Sequence, residues 1–185
     1  MLIRPATLDD VQGISELLAK YYIGRLNDAQ KARGFISVEF SVAELEDMVR
    51  EPGAVVGVEK DGTVVAVAGS SSLPSKGSSG ISSAISSLLG QIEFNGQLLS
   101  DYKTCMYGPV CVDESCAGQG MSARLWQAFK EMQQGIYDVG VSFISYANPT
   151  SIRSARDKQG RTIVADFEHD GQRFALLAFG IPLVD

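Results

Sequence analysis

Apolar positions recur along this chain with two periods, and the switches between them mark out its elements. Val11, Ile14, Leu17, Leu18 and Tyr21 fall at helical spacing, and Thr7 followed by Asp10 is the start signal just before them. Ser41 with Glu44 opens a second helix, whose apolar stripe is Val42, Leu45, Met48 and Val49 and whose stop is Pro52-Gly53. Denser apolar runs read as strands: Leu2–Thr7, then Ala54–Glu59 and Thr63–Ser70 joined by the hairpin turn Asp61-Gly62. A Cys105–Val112 strand runs through a glycine turn into a helix with Met121, Leu125, Ala128, Phe129 and Met132 on one face. Gly140–Tyr146 is another strand, and Asn148-Pro149 begins a short helix with proline at its first position. Arg161–Glu168 and Gln172–Phe179 close the chain as strands joined through His169-Asp170-Gly171. The order is strand, two helices, three strands, helix, strand, helix, two strands.

One stretch breaks the pattern. Ser70–Ser100 is rich in serine and glycine, yet carries Ile81, Ile85, Leu88 and Leu89 at helical spacing. It reads as an insertion at about 70–100 within a single domain spanning 1–185, forming a partly helical flap. With 185 residues and 45% hydrophobic content, the chain is long enough for one well-cored domain.

The net charge of −6 argues against nucleic acid as the main partner, because a phosphate backbone needs clustered Lys and Arg. Met1–Asp10 lacks an apolar core of signal-peptide length, and no later apolar run reaches spanning length, so a soluble, cytoplasmic protein with no membrane partner is expected. Cys105, Cys111 and Cys116 form an odd set without metal-ligand spacing, and they read as reduced thiols rather than metal ligands.

The chemistry concentrates in Tyr107-Gly-Pro-Val-Cys-Val-Asp-Glu-Ser-Cys-Ala-Gly-Gln-Gly-Met-Ser-Ala-Arg-Leu125. Gly118 and Gly120 remove side chains where the chain enters a helix, so backbone N–H groups can approach an anion at the positive end of the helix dipole. The phosphate loop Gly-x-x-x-x-Gly-Lys-Ser/Thr is absent, and Ala123 stands where a dinucleotide fingerprint has its third glycine. The segment resembles the acyl-CoA-binding motif of the GNAT superfamily of N-acetyltransferases, written Arg/Gln-x-x-Gly-x-Gly/Ala after a Val-rich strand. Here Ala117 replaces the basic or amide residue and Ser122 the final small residue. The order of elements is similar to that of the superfamily over essentially the whole chain.

That resemblance implies an α/β (α+β) fold with a mixed, mostly antiparallel central sheet, helices on both faces and splayed strands at the cofactor site. It implies acetyl-CoA as acyl donor, without a metal, and a small primary amine as acceptor. Backbone groups of Val110, Cys111 and Val112 would pair with the pantetheine amides, and those of Gly118, Gln119, Gly120, Met121 and Ser122 would hold the pyrophosphate. Asn148 matches a frequent wedge-opening asparagine and is equally a helix cap. Related enzymes often use a tyrosine as acid four residues before a Gly-Phe pair, but Arg156 and Gly160-Arg161 occupy those places. Tyr146 and Tyr107 are the candidate substitutes, each also readable as a core or strand-surface tyrosine. Glu39, in the loop between the first two helices, is the first candidate base, with Asp101 and Asp113 behind it. His169 sits in a turn and does not read as part of a Ser-His-Asp set. A catalytically weak module of the same fold, acting in acyl-CoA binding or as a regulatory or partner protein, is the alternative. Leu176, Leu177 and Phe179 make the last strand apolar on both faces, and a homodimer is expected to cover it.

Overall fold

The computed structural model describes residues 1–51, 53–73 and 80–182. It holds a seven-stranded, mostly antiparallel sheet of order β1-β2-β3-β6-β7-β9-β8 and a two-stranded hairpin, β4-β5. The chain divides into two compact units, Met1–Ser70 with Tyr107–Met132, and Ser71–Met106 with Gln133–Asp185. Strand β6 (Thr104–Val112) begins in the second unit and ends in the first.

The first unit carries β1 (Leu2–Pro5), β2 (Ala54–Val58) and β3 (Val64–Ser72, through Ser70), with helices α1 (Val11–Lys20), α2 (Asp28–Lys31), α3 (Val42–Arg50) and α5 (Met121–Gln133, through Met132). Strand β2 is antiparallel to both neighbours, from Leu2↔Val58 on one side and Ala54↔Gly69 on the other. All five positions of β2 are buried, because both faces of the sheet are covered. Val56, Val58, Val64 and Val67 share a core with Ile14 and Leu17 of α1 and Leu45 and Met48 of α3. On the opposite face a Cβ at Gly57 would lie 3.4 Å from the Met121 sulfur of α5.

Both helix-start signals are used. Ser41 N–H donates to Glu44 at 2.8 Å and Glu44 N–H donates back to Ser41 Oγ at 3.3 Å. Thr7 N–H donates to Asp10 at 2.8 Å, and Arg4 adds two bonds to the same carboxylate at 2.7 and 2.8 Å. The Arg4 guanidinium first, and the Thr7 bonds with it, outweigh desolvation and hold the Asp10 carboxyl at about 2. Sequence periodicity missed α2, a short turn fixed by reciprocal Asn27 and Gln30 bonds inside the loop after α1.

The second unit carries α4 (Ile81–Leu88), β4 (Glu93–Phe94), β5 (Gln97–Leu98), β7 (Val139–Ser145), α6 (Pro149–Arg153), β8 (Thr162–His169) and β9 (Gln172–Gly180). Strand β9 runs antiparallel to β7 and β8 between them. Its Leu176 faces a core with Ile85 and Leu89, and its Leu177 faces Ile152 and Ala155. The chain therefore buries both faces of β9 itself, and the outer strand is β8, which corrects the sequence argument that placed the last apolar strand where a second copy must cover it. The Ser70–Ser100 segment is corrected too. Residues 74–79 lie outside the described residues, but Ile85 is fully buried and joins Leu99, Met106, Val139 and Val141, so α4 is part of the core and not a flap.

Candidate functional site

Within the first unit, β6 enters the glycine turn through one wound segment. Ser115 N–H donates to Asp113 Oδ1 at 2.9 Å, Cys116 N–H to Asp113 O at 2.9 Å, Ala117 N–H to Glu114 O at 3.0 Å and Gln119 N–H to Cys116 O at 3.3 Å. Gly118 and Gly120 then take φ of +75° and +69°, a left-handed conformation that L side chains rarely adopt. Nothing lies within 4 Å of where a Cβ would stand at either position, and Ala117–Gly120 is exposed. The 13-residue helix α5 starts at Met121, and the Ala123 and Arg124 N–H groups both turn back to Gly120 O at 3.1 Å. An exposed turn at the start of a helix stands at the positive end of the helix dipole, which favours an anion.

The strand before the turn also departs from regular pairing. Strands β6 and β7 pair in parallel from Thr104↔Val139 to Met106↔Val141, whereas β6 itself continues to Val112. Within the first unit, Tyr107–Val112 is the outer strand of β1-β2-β3-β6, and its run includes Val110, Cys111 and Val112. Burial pushes the Cys105 and Cys111 thiols up to about 12, so neither serves as a nucleophile at neutral pH.

The end of α1 holds the segment before the turn. Lys20 Nζ donates to Asp113 Oδ2 at 2.7 Å, the Tyr21 hydroxyl donates to the same oxygen at 3.3 Å, and Glu114 N–H donates to the Tyr21 hydroxyl at 2.8 Å. Arg33 pairs with Glu114 at 3.0 Å. Desolvation pushes the Asp113 carboxyl up, but the Lys20 ammonium and the Ser115 N–H and hydroxyl outweigh it and hold the group at about 2. A carboxylate so firmly ionised and fully engaged is a poor base, and Asp113 is here a structural anchor. Sequence reasoning did not find Lys20 and Tyr21 in this role. Nothing local marks a helix-terminal lysine as the partner of an aspartate 93 residues away.

Glu39 lies elsewhere in the first unit, on an open groove of about 110 Å³ lined by Leu18, Tyr22, Arg25, Phe40 and Leu45 among others. Its carboxylate is 3.5 Å from Arg25, and both side chains are exposed. Tyr107 is 3% exposed, with its ring edge-on to Trp126 at 5.1 Å and Phe129 at 4.4 Å between centroids. It is a member of the aromatic core under α5.

Tyr146 and Asn148 belong to the second unit. The Tyr146 hydroxyl donates to Asp166 at 2.5 Å, Arg173 closes the same carboxylate at 2.5 Å, and the Arg173 guanidinium lies 4.8 Å from the Tyr146 ring centroid. The bond to Asp166 raises the Tyr146 pKa, so the phenol keeps its proton. Asn148 caps α6, accepting from Ser151 N–H at 3.3 Å. Asp101 sits in a short turn before β6, exposed. Arg156 is exposed and paired with Asp157 at 2.7 Å. Arg161 is buried, donating to Ser142 Oγ at 2.9 Å and to Gln159, 5.8 Å from the Phe179 ring centroid.

No family model and no curated protein matches the chain. Solved structures do. YncA from Salmonella typhimurium, with its cofactor acetyl-CoA, is 18% identical at a TM-score of 0.64, covering 98% of this chain and 94% of that one. An N-acetyltransferase from Staphylococcus aureus Mu50 is 17% identical at 0.63, covering 98% of each chain. The GNAT family N-acetyltransferase YhbS from Escherichia coli, in complex with CoA, is 17% identical at 0.58, covering 98% of this chain and 81% of that one. The chain has the fold of the GNAT N-acetyltransferases. Among the described residues no helix is long and apolar enough to cross a membrane.

Proposed function

We propose that this protein is an acyl-CoA-dependent N-acetyltransferase that transfers acetyl from acetyl-CoA to a small primary amine. The observation that carries the reading is the exposed turn with both glycines at positive φ, which opens α5 directly behind a strand whose parallel pairing with β7 stops at Met106. Gly118, Gly120, Met121 and Ser122 hold the pyrophosphate through backbone N–H groups, and Gln119, whose own N–H is engaged by Cys116 O, shapes the turn between them. The edge of β6 that faces away from β3 offers backbone groups of Val110 and Val112 to the pantetheine arm, with Cys111 between them turned toward β3. Asn148 adds a further contact without giving up its cap.

Bound acetyl-CoA supplies a thioester carbonyl open to attack by a neutral amine. The new C–N bond forms as the C–S bond breaks, so a proton must leave nitrogen and another must reach sulfur. Glu39 takes the first, with Arg25 beside it restraining the carboxylate. Tyr146 gives the second once its hydroxyl turns from Asp166 toward sulfur, and it regains a proton from solvent. Tyr107 keeps its place in the aromatic core and is the lesser candidate for that step. A homodimer is also proposed: with β9 covered by the chain itself, what favours it is that β8 is the outer strand of the sheet and presents an unpaired edge, and a monomeric mass by light scattering overturns that part.

A panel of primary amines with acetyl-CoA, read by thiol release, tests the reading. Amine-dependent release is expected for at least one class of amine. Binding of acetyl-CoA with no release across the panel would replace the enzyme by an acyl-CoA-binding module.

A further inference from the structure

Two carboxylates, Asp113 and Glu114, stand a few residues before the glycines of an anion-binding turn. Left uncompensated, they would repel a polyphosphate. Each meets a cation from a distant part of the first unit: Lys20, the last residue of α1, reaches Asp113 at 2.7 Å, and Arg33 reaches Glu114 at 3.0 Å. Tyr21, next in the chain, joins the two acidic residues directly. Its hydroxyl accepts from Glu114 N–H at 2.8 Å and donates to Asp113 at 3.3 Å. From there the backbone bonds onto Asp113 O, Glu114 O and Cys116 O, together with the Gln119 side chain onto Ser115 O at 3.1 Å, carry the same framework to the threshold of Gly120.

We infer that Lys20 and Tyr21 are positioning residues for the polyphosphate of the acyl donor: Lys20 neutralises Asp113, and Tyr21 fixes the backbone that leads into the turn. The inference rests on the reading of Gly118–Ser122 as the pyrophosphate cradle. It adds a specific reason why α1 ends in Lys20 and is followed by Tyr21. The ammonium is more than a surface partner, because the charge it cancels is on the one segment that must accept an anion. The bonding also separates the two contributions. An asparagine at position 113 still offers its side-chain oxygen to Ser115 N–H but carries no charge, so backbone support and charge balance are independently removable.

The test is isothermal titration of the full chain with CoA at low ionic strength, with thermal melts to confirm folding. Lys20→Met is expected to weaken CoA about threefold to tenfold, the size of one uncompensated charge acting on several phosphate charges through a largely aqueous path. Lys20→Arg restores it. In the Lys20→Met background Asp113→Asn also restores it, which a purely structural role for Lys20 would not allow. Tyr21→Phe weakens CoA at low and at high salt alike, because it loosens the backbone and leaves the charges in place. Unchanged CoA affinity in a folded Lys20→Met variant overturns the inference, as does a double variant as weak as the single one. If Gly120→Asp also leaves CoA affinity unchanged, the cradle itself is wrong. If Gly120→Asp abolishes binding while Lys20→Met does nothing, only the role of Lys20 and Tyr21 falls.

Discussion

Gly120→Asp, paired with Gly120→Asn, isolates the charge from the backbone at the centre of the site. Gly120 has φ of +69°, and no atom lies within 4 Å of a Cβ placed there, so either side chain enters without a clash. Left-handed backbone costs a residue with a Cβ about 1–2 kcal/mol, less for Asn and Asp, and that cost is shared by both variants. They differ by one negative charge. At about 5 Å from a pyrophosphate carrying two charges, with an effective dielectric of about 40, repulsion amounts to about 3 kcal/mol, roughly a hundredfold in affinity. Calorimetric titration with CoA reads this directly, and thermal melts of both variants check that they fold with matched stability. The expected order is wild type, then Gly120→Asn within a few-fold, then Gly120→Asp far weaker, with the gap between the two variants narrowing as salt is raised. Equal CoA affinity for the Asp and Asn variants would refute the placement of phosphate at this turn.

Ile85→Ala should cost about 2–5 kcal/mol in urea unfolding, because the side chain is fully buried against Leu176 and Val141, whereas exposed Ser83→Ala should be near neutral; equal effects would return α4 to the surface. Asp10, held at about 2 against an ordinary value of 3.8, contributes stability that is present above about pH 4 and is lost as pH falls through about 2. With half-exposed Arg4 screened by solvent, the contribution is about 1–2 kcal/mol, and Asp10→Asn should flatten the acid limb of the unfolding profile; an unchanged limb contradicts the pairing. Glu39→Gln should lower turnover with little change in acetyl-CoA affinity, and full turnover at every pH removes it as the base. Tyr146→Phe should slow transfer more than Tyr107→Phe does, and the reverse order would move the acid into the aromatic core.

Much of the fold could be read from period and punctuation. The Ser41 and Thr7 start signals sit where the reciprocal bonds form, and the spacing of Ile81, Ile85 and Leu89 marks the helix that the structure buries, because an apolar stripe needs a partner surface whatever its serines allow. The glycine turn was legible because two glycines at a strand-to-helix junction are a backbone requirement written directly in the sequence. What could not be read was long-range and polar. The Lys20–Asp113 pair, the Tyr21 bridge and the Tyr146–Asp166–Arg173 cluster join residues whose types are ordinary surface types, and a one-dimensional pattern carries no term for which of them meet. Burial of Leu176 and Leu177 was correctly anticipated, but its cause was not, since the order β7-β9-β8 depends on how the closing hairpin turns back.

Acetyl-CoA binding tests the central claim most directly, by the melting temperature of the full chain with acetyl-CoA and, separately, CoA. A ligand held only by the folded state at about a hundred times its Kd adds about 2.7 kcal/mol, which for a chain of this size raises the melting temperature by roughly 5–10 °C. The account predicts such a rise with both ligands and its loss in Gly120→Asp. No rise with either ligand at saturating concentrations would contradict it.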